Sequence, residues 1–201
     1  MMATAKNTVQ LVGFYSSVRE NGKANKELKG IYNATINVAD NTTQKLTFNE
    51  FDYATKVKLL GKRRADKGKD LKPLYRIKSI IEKNDGGLIV LSEFFQVSFS
   101  RSGMGPLAFS SVIYQTNEVI VTSLNPDGTI AWSNVVPKEQ QAAYTTPSFS
   151  FGALVGGGAF IVAVSATISL GAMGRGPEYL SVIPIYNNGQ LSVLFNDNVR
   201  N

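Results

Sequence analysis

Two turn sequences constrain this chain most: Asn84-Asp85-Gly86-Gly87 and Asn125-Pro126-Asp127-Gly128, each set between runs of apolar and β-branched residues. Asn, Asp and Gly accept the backbone angles of tight hairpins, so each tetrapeptide reverses an extended chain. Residues 75–83 read as a strand through Ile77, Ile80 and Ile81. Residues 88–95 are almost continuously apolar, the pattern of a strand buried on both faces. Residues 118–124 and 129–136 supply a third and a fourth strand, the last carrying the only tryptophan, Trp132. The block 75–140 thus predicts four antiparallel strands joined by two Gly turns and by an insertion at 96–115 that contains Ser and Gly.

The flanking sequence follows the same rules. Residues 8–16, 28–38 and 45–51 read as three strands, with Ile31, Ala34, Ile36 and Val38 as inward positions of the second. Between 51 and 64 the period changes: Tyr53, Val57 and Leu60 fall at helical spacing, with Asn49 as the expected N-cap. A charged loop then runs to Lys72. Near the C-terminus, residues 179–186 and 190–195 flank Asn187-Asn188-Gly189, another hairpin signal. The chain of 201 residues is expected to form a single β domain over 1–201, with a basic helical insertion at 52–72 and an uncharged Gly-rich insertion at 141–178.

The absence of His and Cys removes whole classes of chemistry. Zinc sites built from these residues, Ser-His-Asp or Cys-His catalysis, disulfides and imidazole switching have no donors here. Acid–base work would fall to Asp, Glu, Lys or Tyr. Glu93 and Glu118, beside apolar strands, are the best pair for glycoside hydrolysis, which needs two carboxyls facing one cleft. The more ordinary reading places each at an edge, bonded to backbone or lysine. Asp85 and Asp127 read as turn-forming residues rather than cation ligands. Asn196-Asp197-Asn198 gathers oxygen donors, but one carboxylate is thin ligation for calcium. Neither Gly103-Met104-Gly105 nor Gly156-Gly157-Gly158 is followed by the Gly-Lys-Ser/Thr of a phosphate loop, so no nucleotide or other cofactor and no metal is expected.

Two segments depart from average composition. Residues 56–83 hold eleven basic and three acidic residues, an excess that exceeds the +6 of the whole chain. Lys56, Lys58, Lys62, Arg63, Arg64, Lys67, Lys69 and Lys72 form the candidate basic patch, able to meet phosphates of nucleic acid or anionic lipid. A solvated inserted loop is the ordinary alternative. Residues 140–174 carry no charge over 35 positions. Buried β structure with a loop suits their Val, Ile and Phe content; membrane contact and a mobile insertion are the other readings.

The pieces LVGFYS, KGIY, IIEKNDGGLIVLSEFF, NEVIVTSLNPDGTIAW, VVPKEQ and LSVLFNDN resemble an uncharacterised family of bacterial envelope proteins of Bacteroidetes-type organisms, with β-propeller-like repeats. The resemblance implies a mainly β chain of antiparallel, propeller-like four-stranded units forming a partial or open propeller, part of a larger repeat protein or a shortened relative. A generic β-sandwich remains the alternative for the residues alone. The family lends no catalytic or ligand-binding residue. The expected function is a non-enzymatic binding module of the cell envelope or extracellular space, although residues 1–10 show no signal peptide. Its partner would be a protein or glycan met through residues 96–115 and 141–178, or a second copy met at open sheet edges. The alternative is an electrostatic binder of nucleic acid or anionic membrane through residues 56–83.

Overall fold

The computed structural model describes residues 2–3, 8–104, 107–157, 160–169, 171, 173–174, 177 and 180–196. The chain is mainly β, with antiparallel sheets, one of them curled as a half-barrel, and two short helices among the described residues. In order the elements are β1 (Met2–Ala3), β2 (Thr8–Tyr15), β3 (Gly30–Asn37), β4 (Thr43–Glu50), α1 (Tyr53–Leu60), α2 (Lys62–Ala65), β5 (Tyr75–Glu82) and β6 (Leu88–Met104). They continue as β7 (Leu107–Leu124), β8 (Ile130–Val136), β9 (Gln140–Gly157), β10 (Phe160–Ser169), β11 (Met173–Gly174), β12 (Val182–Asn187) and β13 (Gln190–Phe195). The chain divides into two compact units, one of residues 1–95, 117–138 and 182–194, the other of 96–116, 139–181 and 195–201.

In the first unit, β1 to β4 form an antiparallel meander, and β5, β6, β7 and β8 pair in that order as a second. The turn sequences act as expected. Gly86 and Gly128 take φ of +84° and +80°, and the second turn closes with Gly128 N–H donating to the Asn125 carbonyl at 2.8 Å. The β12–β13 hairpin turns at Asn188 and Gly189, both at positive φ.

Residues 88–93 are buried without a break because the second meander is covered on both sides. Leu88 and Val90, with Ile120 and Leu124 of β7, pack against Ile31, Phe51, Leu71 and Tyr75. Ile89 and Leu91, with Val119 and Val121, pack against Val182, Leu191 and Val193 of the terminal hairpin. Successive strand residues point to opposite faces, so a run of six buried residues requires two covering layers. Each fully buried Leu, Ile or Val contributes about 1.5–3 kcal/mol.

Several expectations are corrected. Asp52, not Asn49, caps α1, its carboxylate accepting from the Thr55 amide at 2.6 Å. Asn49 instead lies in β4 and ties down the second turn, donating to the Gly128 carbonyl at 2.8 Å and accepting from the Ile130 amide at 3.1 Å. Val38 falls past the end of β3 and is exposed, whereas Ile31 and Ala34 are buried. Residues 96–104 complete β6 and 107–115 open β7, so the described part of the expected insertion is strand rather than loop. Their serines alternate with apolar residues, as in Val97-Ser98-Phe99-Ser100, which is the strand period rather than loop composition.

In the second unit the strand order is β10-β9-β7-β6. Residues 107–116 pair with 140–149, and 148–157 pair with 160–169. The described part of the uncharged segment is therefore largely β structure, but four of its large apolar side chains are not buried: Phe149, Phe151, Ile168 and Met173 are about half exposed. Glu178 and Tyr179, at the edges of two expected segments, lie outside the described residues, as do five of the first ten.

Leu91→Ala should lower stability by about 2–5 kcal/mol, read as a fall in urea midpoint at unchanged slope. Leu46→Ala, at an exposed β4 position, should change it by less than about 0.5 kcal/mol. Equal effects would contradict the two-sided cover of β6.

Candidate functional site

The predicted site residues that are described have definite places. Glu93, on β6, lies on the Ile89 and Leu91 face, with its side chain fully buried. Its Oε1 accepts a hydrogen bond from Lys138 Nζ, also fully buried, and Lys78 Nζ stands 3.5 Å from Oε2. Lys78 reaches this point because β5 bulges between Ile77 and Ser79. Glu118, on β7, shares the opposite face with Ile120 and Leu124 and accepts from the Tyr75 hydroxyl. Tyr75 in turn meets Phe94 edge-on, ring centroids 5.8 Å apart. Burial, reinforced by the Glu118 carboxylate, pushes the Tyr75 hydroxyl far above its ordinary value, so it stays a donor.

This geometry overturns the glycoside-hydrolase pairing of Glu93 with Glu118. Strand alternation sends the two carboxyls to opposite faces of one sheet, and a hydrolytic pair must face one cleft. Glu93 is held as the partner of a buried lysine, an arrangement that keeps a carboxylate compensated in a dry interior.

The basic segment is divided by the fold. Lys56 is withdrawn into the protein, its ammonium 2.9 Å from both Glu50 and Asp70. Burial alone would lower its pKa, but the hydrogen bonds to Asp70 and Glu50 prevail and raise it. Lys58 donates to Asn134 at 2.8 Å, and Arg64 stands 3.8 Å from Glu27. Lys62, Arg63, Lys67, Lys69 and Lys72 are exposed on or after α2.

The turn aspartates serve the turns. Asp85 accepts from the Gly87 amide at 2.8 Å, and Asp127 accepts from the Thr129 amide at 2.9 Å and from its hydroxyl. Among the described residues no group of three or more acidic side chains is placed to hold a metal. Gln140 Nε2 donates to the Asn196 carbonyl, while Asp197 and Asn198 lie outside the described residues. Gly103 belongs to β6, and Gly156 and Gly157 to β9; Gly105 and Gly158 lie outside the described residues.

Two surfaces remain, the second within the segments 96–115 and 141–178 that the sequence offers as partner contacts. One is a groove of about 320 Å³ in the first unit, lined by the polar side chains of Gln10, Thr35, Gln44, Lys45 and Glu82. None of its lining residues is aromatic, so it offers no stacking surface. The other is a row in the second unit. Leu107, Phe149 and Ile168 are direct cross-strand neighbours on β7, β9 and β10, exposed by 42%, 46% and 54%. Phe151, two positions on, continues the row at 52% exposure, and Met173, opposite Thr145 on the same face, is 59% exposed. The opposite face carries hydroxyls: Ser150 and Thr167 bond each other at 2.9 Å, and Ser148 donates to the Ala108 carbonyl at 3.3 Å. Single exposed apolar residues are ordinary on a surface, whereas these share one face of neighbouring strands. The signal was the alternation Ser148-Phe149-Ser150-Phe151 within an uncharged run.

Comparison of the chain with family models, with curated proteins and with solved structures finds no match.

Glu93→Leu should destabilise the protein by about 3–5 kcal/mol by removing the carboxylate that accepts from the buried Lys138 ammonium, and the double change Glu93→Leu/Lys138→Met should recover most of that loss. Chemical denaturation of the three proteins checks this; a double variant no more stable than the single would refute the pairing.

Acid should also destabilise. Glu50 is held below the usual carboxylate range by its Lys56 hydrogen bond, Asp85 by the Gly87 amide, and Asp127 by the Thr129 hydroxyl and amide. Each carboxyl titrates lower folded than unfolded, so its contribution is present above the unfolded value of about 4 and lost as pH falls through the folded one. Lys56 behaves oppositely: its contribution is intact below about pH 10 and lost as pH rises through its raised value. Thermal melts across pH should show both losses, and Lys56→Met should remove the alkaline one.

Proposed function

We propose that this protein is a non-enzymatic interaction module of the bacterial cell envelope, built from propeller-like β units. The repeat reading draws support from two successive four-stranded meanders and a third, two-stranded hairpin, packed face upon face in the first unit. Ile89, Val121 and Trp132 lie on three neighbouring strands of one sheet. Blades of a propeller are small antiparallel sheets arranged in this serial way. The envelope assignment rests on the resemblance of the strand and turn segments described above.

The observation that carries an interaction role is the exposed row of Leu107, Phe149, Phe151 and Ile168. Four large apolar side chains side by side on sheet surface cost solubility, and retaining them implies a partner that covers them. No described cluster of polar groups has the convergence that catalysis requires.

Purified protein mixed with isolated envelopes of a Bacteroidetes-type bacterium should sediment with them saturably. The variant Phe149→Ser/Ile168→Ser should bind at least about tenfold more weakly, since each truncated anchor of a buried contact removes about 1–2 kcal/mol or more. Equal binding by the variant would overturn the reading. If instead binding collapses between about 50 and 200 mM salt and survives the double variant, the exposed cations Lys62, Arg63, Lys67, Lys69 and Lys72 carry the contact.

A further inference from the structure

We infer that the β9–β10 hairpin is a membrane-inserting element whose apolar row meets the hydrocarbon of a lipid bilayer, within a β-barrel assembled from several copies of this chain. The inference rests on the interaction role of that row and names what covers it.

Length is the first support. Ten consecutive residues of β9, 148–157, pair with ten of β10, 160–169, without a break in register. At about 3.3 Å per residue this hairpin extends about 33 Å. Tilted by about 40°, it spans about 25 Å, the height of the apolar band of strand-crossed membranes.

The register is the second. It sets positions 149, 151, 153, 155 and 157 of β9 opposite 168, 166, 164, 162 and 160 of β10. In sequence these register positions read Phe, Phe, Ala, Val and Gly opposite Ile, Ala, Val, Val and Phe, with no polar residue among them. The intervening positions hold Ser148, Ser150, Gly152, Leu154 and Gly156 opposite Ser169, Thr167, Ser165, Ala163 and Ile161, mostly small or hydroxylated. Strands that cross membranes alternate in this way, apolar toward lipid and small or polar toward the lumen.

Charge is the third. A soluble sheet edge is normally guarded by lysine, glutamate or proline. Here β10 ends the strand order, and residues 140–174 hold no charge at all. Guarding charges on the lipid-facing row would oppose insertion. In lipid every backbone group needs an internal partner, so one hairpin cannot cross alone. The unguarded outer edge of β10 is where the hairpin of a neighbouring copy would pair. No described helix is long and apolar enough to cross a membrane, so strands alone would do so.

The chain has no cysteine, which allows clean labelling. Single variants Ala166→Cys, Thr167→Cys, Ile168→Cys and Ser169→Cys, all at exposed positions, would carry an environment-sensitive fluorophore. Each would be mixed with phosphatidylethanolamine–phosphatidylglycerol vesicles loaded with a self-quenching dye. The expected result is dye release with blue-shifted emission, quenched by spin-labelled acyl chains, at 166 and 168 but not at 167 and 169. Phe151→Asp should reduce release at least about tenfold and Thr167→Asp much less, because only the first puts charge on the lipid-facing row. Unchanged melting temperatures would show that both variants fold. Absence of release, or equal emission at neighbouring positions with vesicles, overturns the inference. The same alternation appearing on concentration without vesicles would also overturn it, by assigning the row to a second copy in solution. In either case envelope binding that still depends on Phe149 and Ile168 would leave the interaction role standing.

Discussion

The first unit depends on cover over both faces of β6. A strand with six consecutive buried residues gains hydrophobic stabilisation twice, but only where a layer lies on either side. The β1–β4 meander with its following helices supplies one layer and the β12–β13 hairpin the other. The basic helical insertion is part of that cover: Leu59 and Leu60 of α1 pack on the core, and Lys56 is clamped by Glu50 and Asp70. Two-sided cover also explains the Glu93–Lys138 pair. A carboxylate at position 93 falls where water has been excluded, and an uncompensated charge there would cost several kcal/mol. The pair therefore reads as a consequence of packing, and the catalytic meaning suggested by a buried glutamate disappears.

What could be read from the residues divides along one physical line. Strands bounded by Asn-Asp-Gly and Asn-Pro-Asp-Gly were legible because turn chemistry is local: a positive φ at Gly86 or Gly128 needs no distant partner. Helical spacing at Tyr53, Val57 and Leu60 was legible for the same reason. Its cap was not, because Asn49 and Asp52 are both good capping residues, and β4 runs on to Glu50 before the helix begins. Lys56 looked like a member of a basic surface because its partners, Glu50 and Asp70, lie on either side of a helix whose docking no local rule reveals.

Residues 96–116 and 140–169 failed differently. Serine and glycine suggest loops on composition, yet in 97–102 and 148–152 they occupy every second position of long strands. Small residues on one face leave the strand period intact while lowering its apparent hydrophobicity. A reading by average composition sees a Gly- and Ser-rich insertion; a reading by parity sees an amphipathic sheet. The exposed row of Leu107, Phe149 and Ile168 follows only once register joins residues 42 and 19 positions apart in sequence.

The same alternation thus has two outcomes in one chain. In the first unit both strand faces are apolar and both are covered within the chain. In the second, Leu107, Phe149, Phe151 and Ile168 on one face stand about half exposed, while Ser148, Ser150 and Thr167 lie on the other. Transferring such a row from water to an apolar environment is favourable by about 25 cal/mol per Å². Ser150 and Thr167 opposite gain nothing from that transfer and already bond each other, and Ser148 bonds backbone. A protein partner could cover the row at a few points, but it would place no demand on ten register pairs or on the absence of every charge. A bilayer demands both, because its apolar thickness sets the strand length and its interior excludes ions.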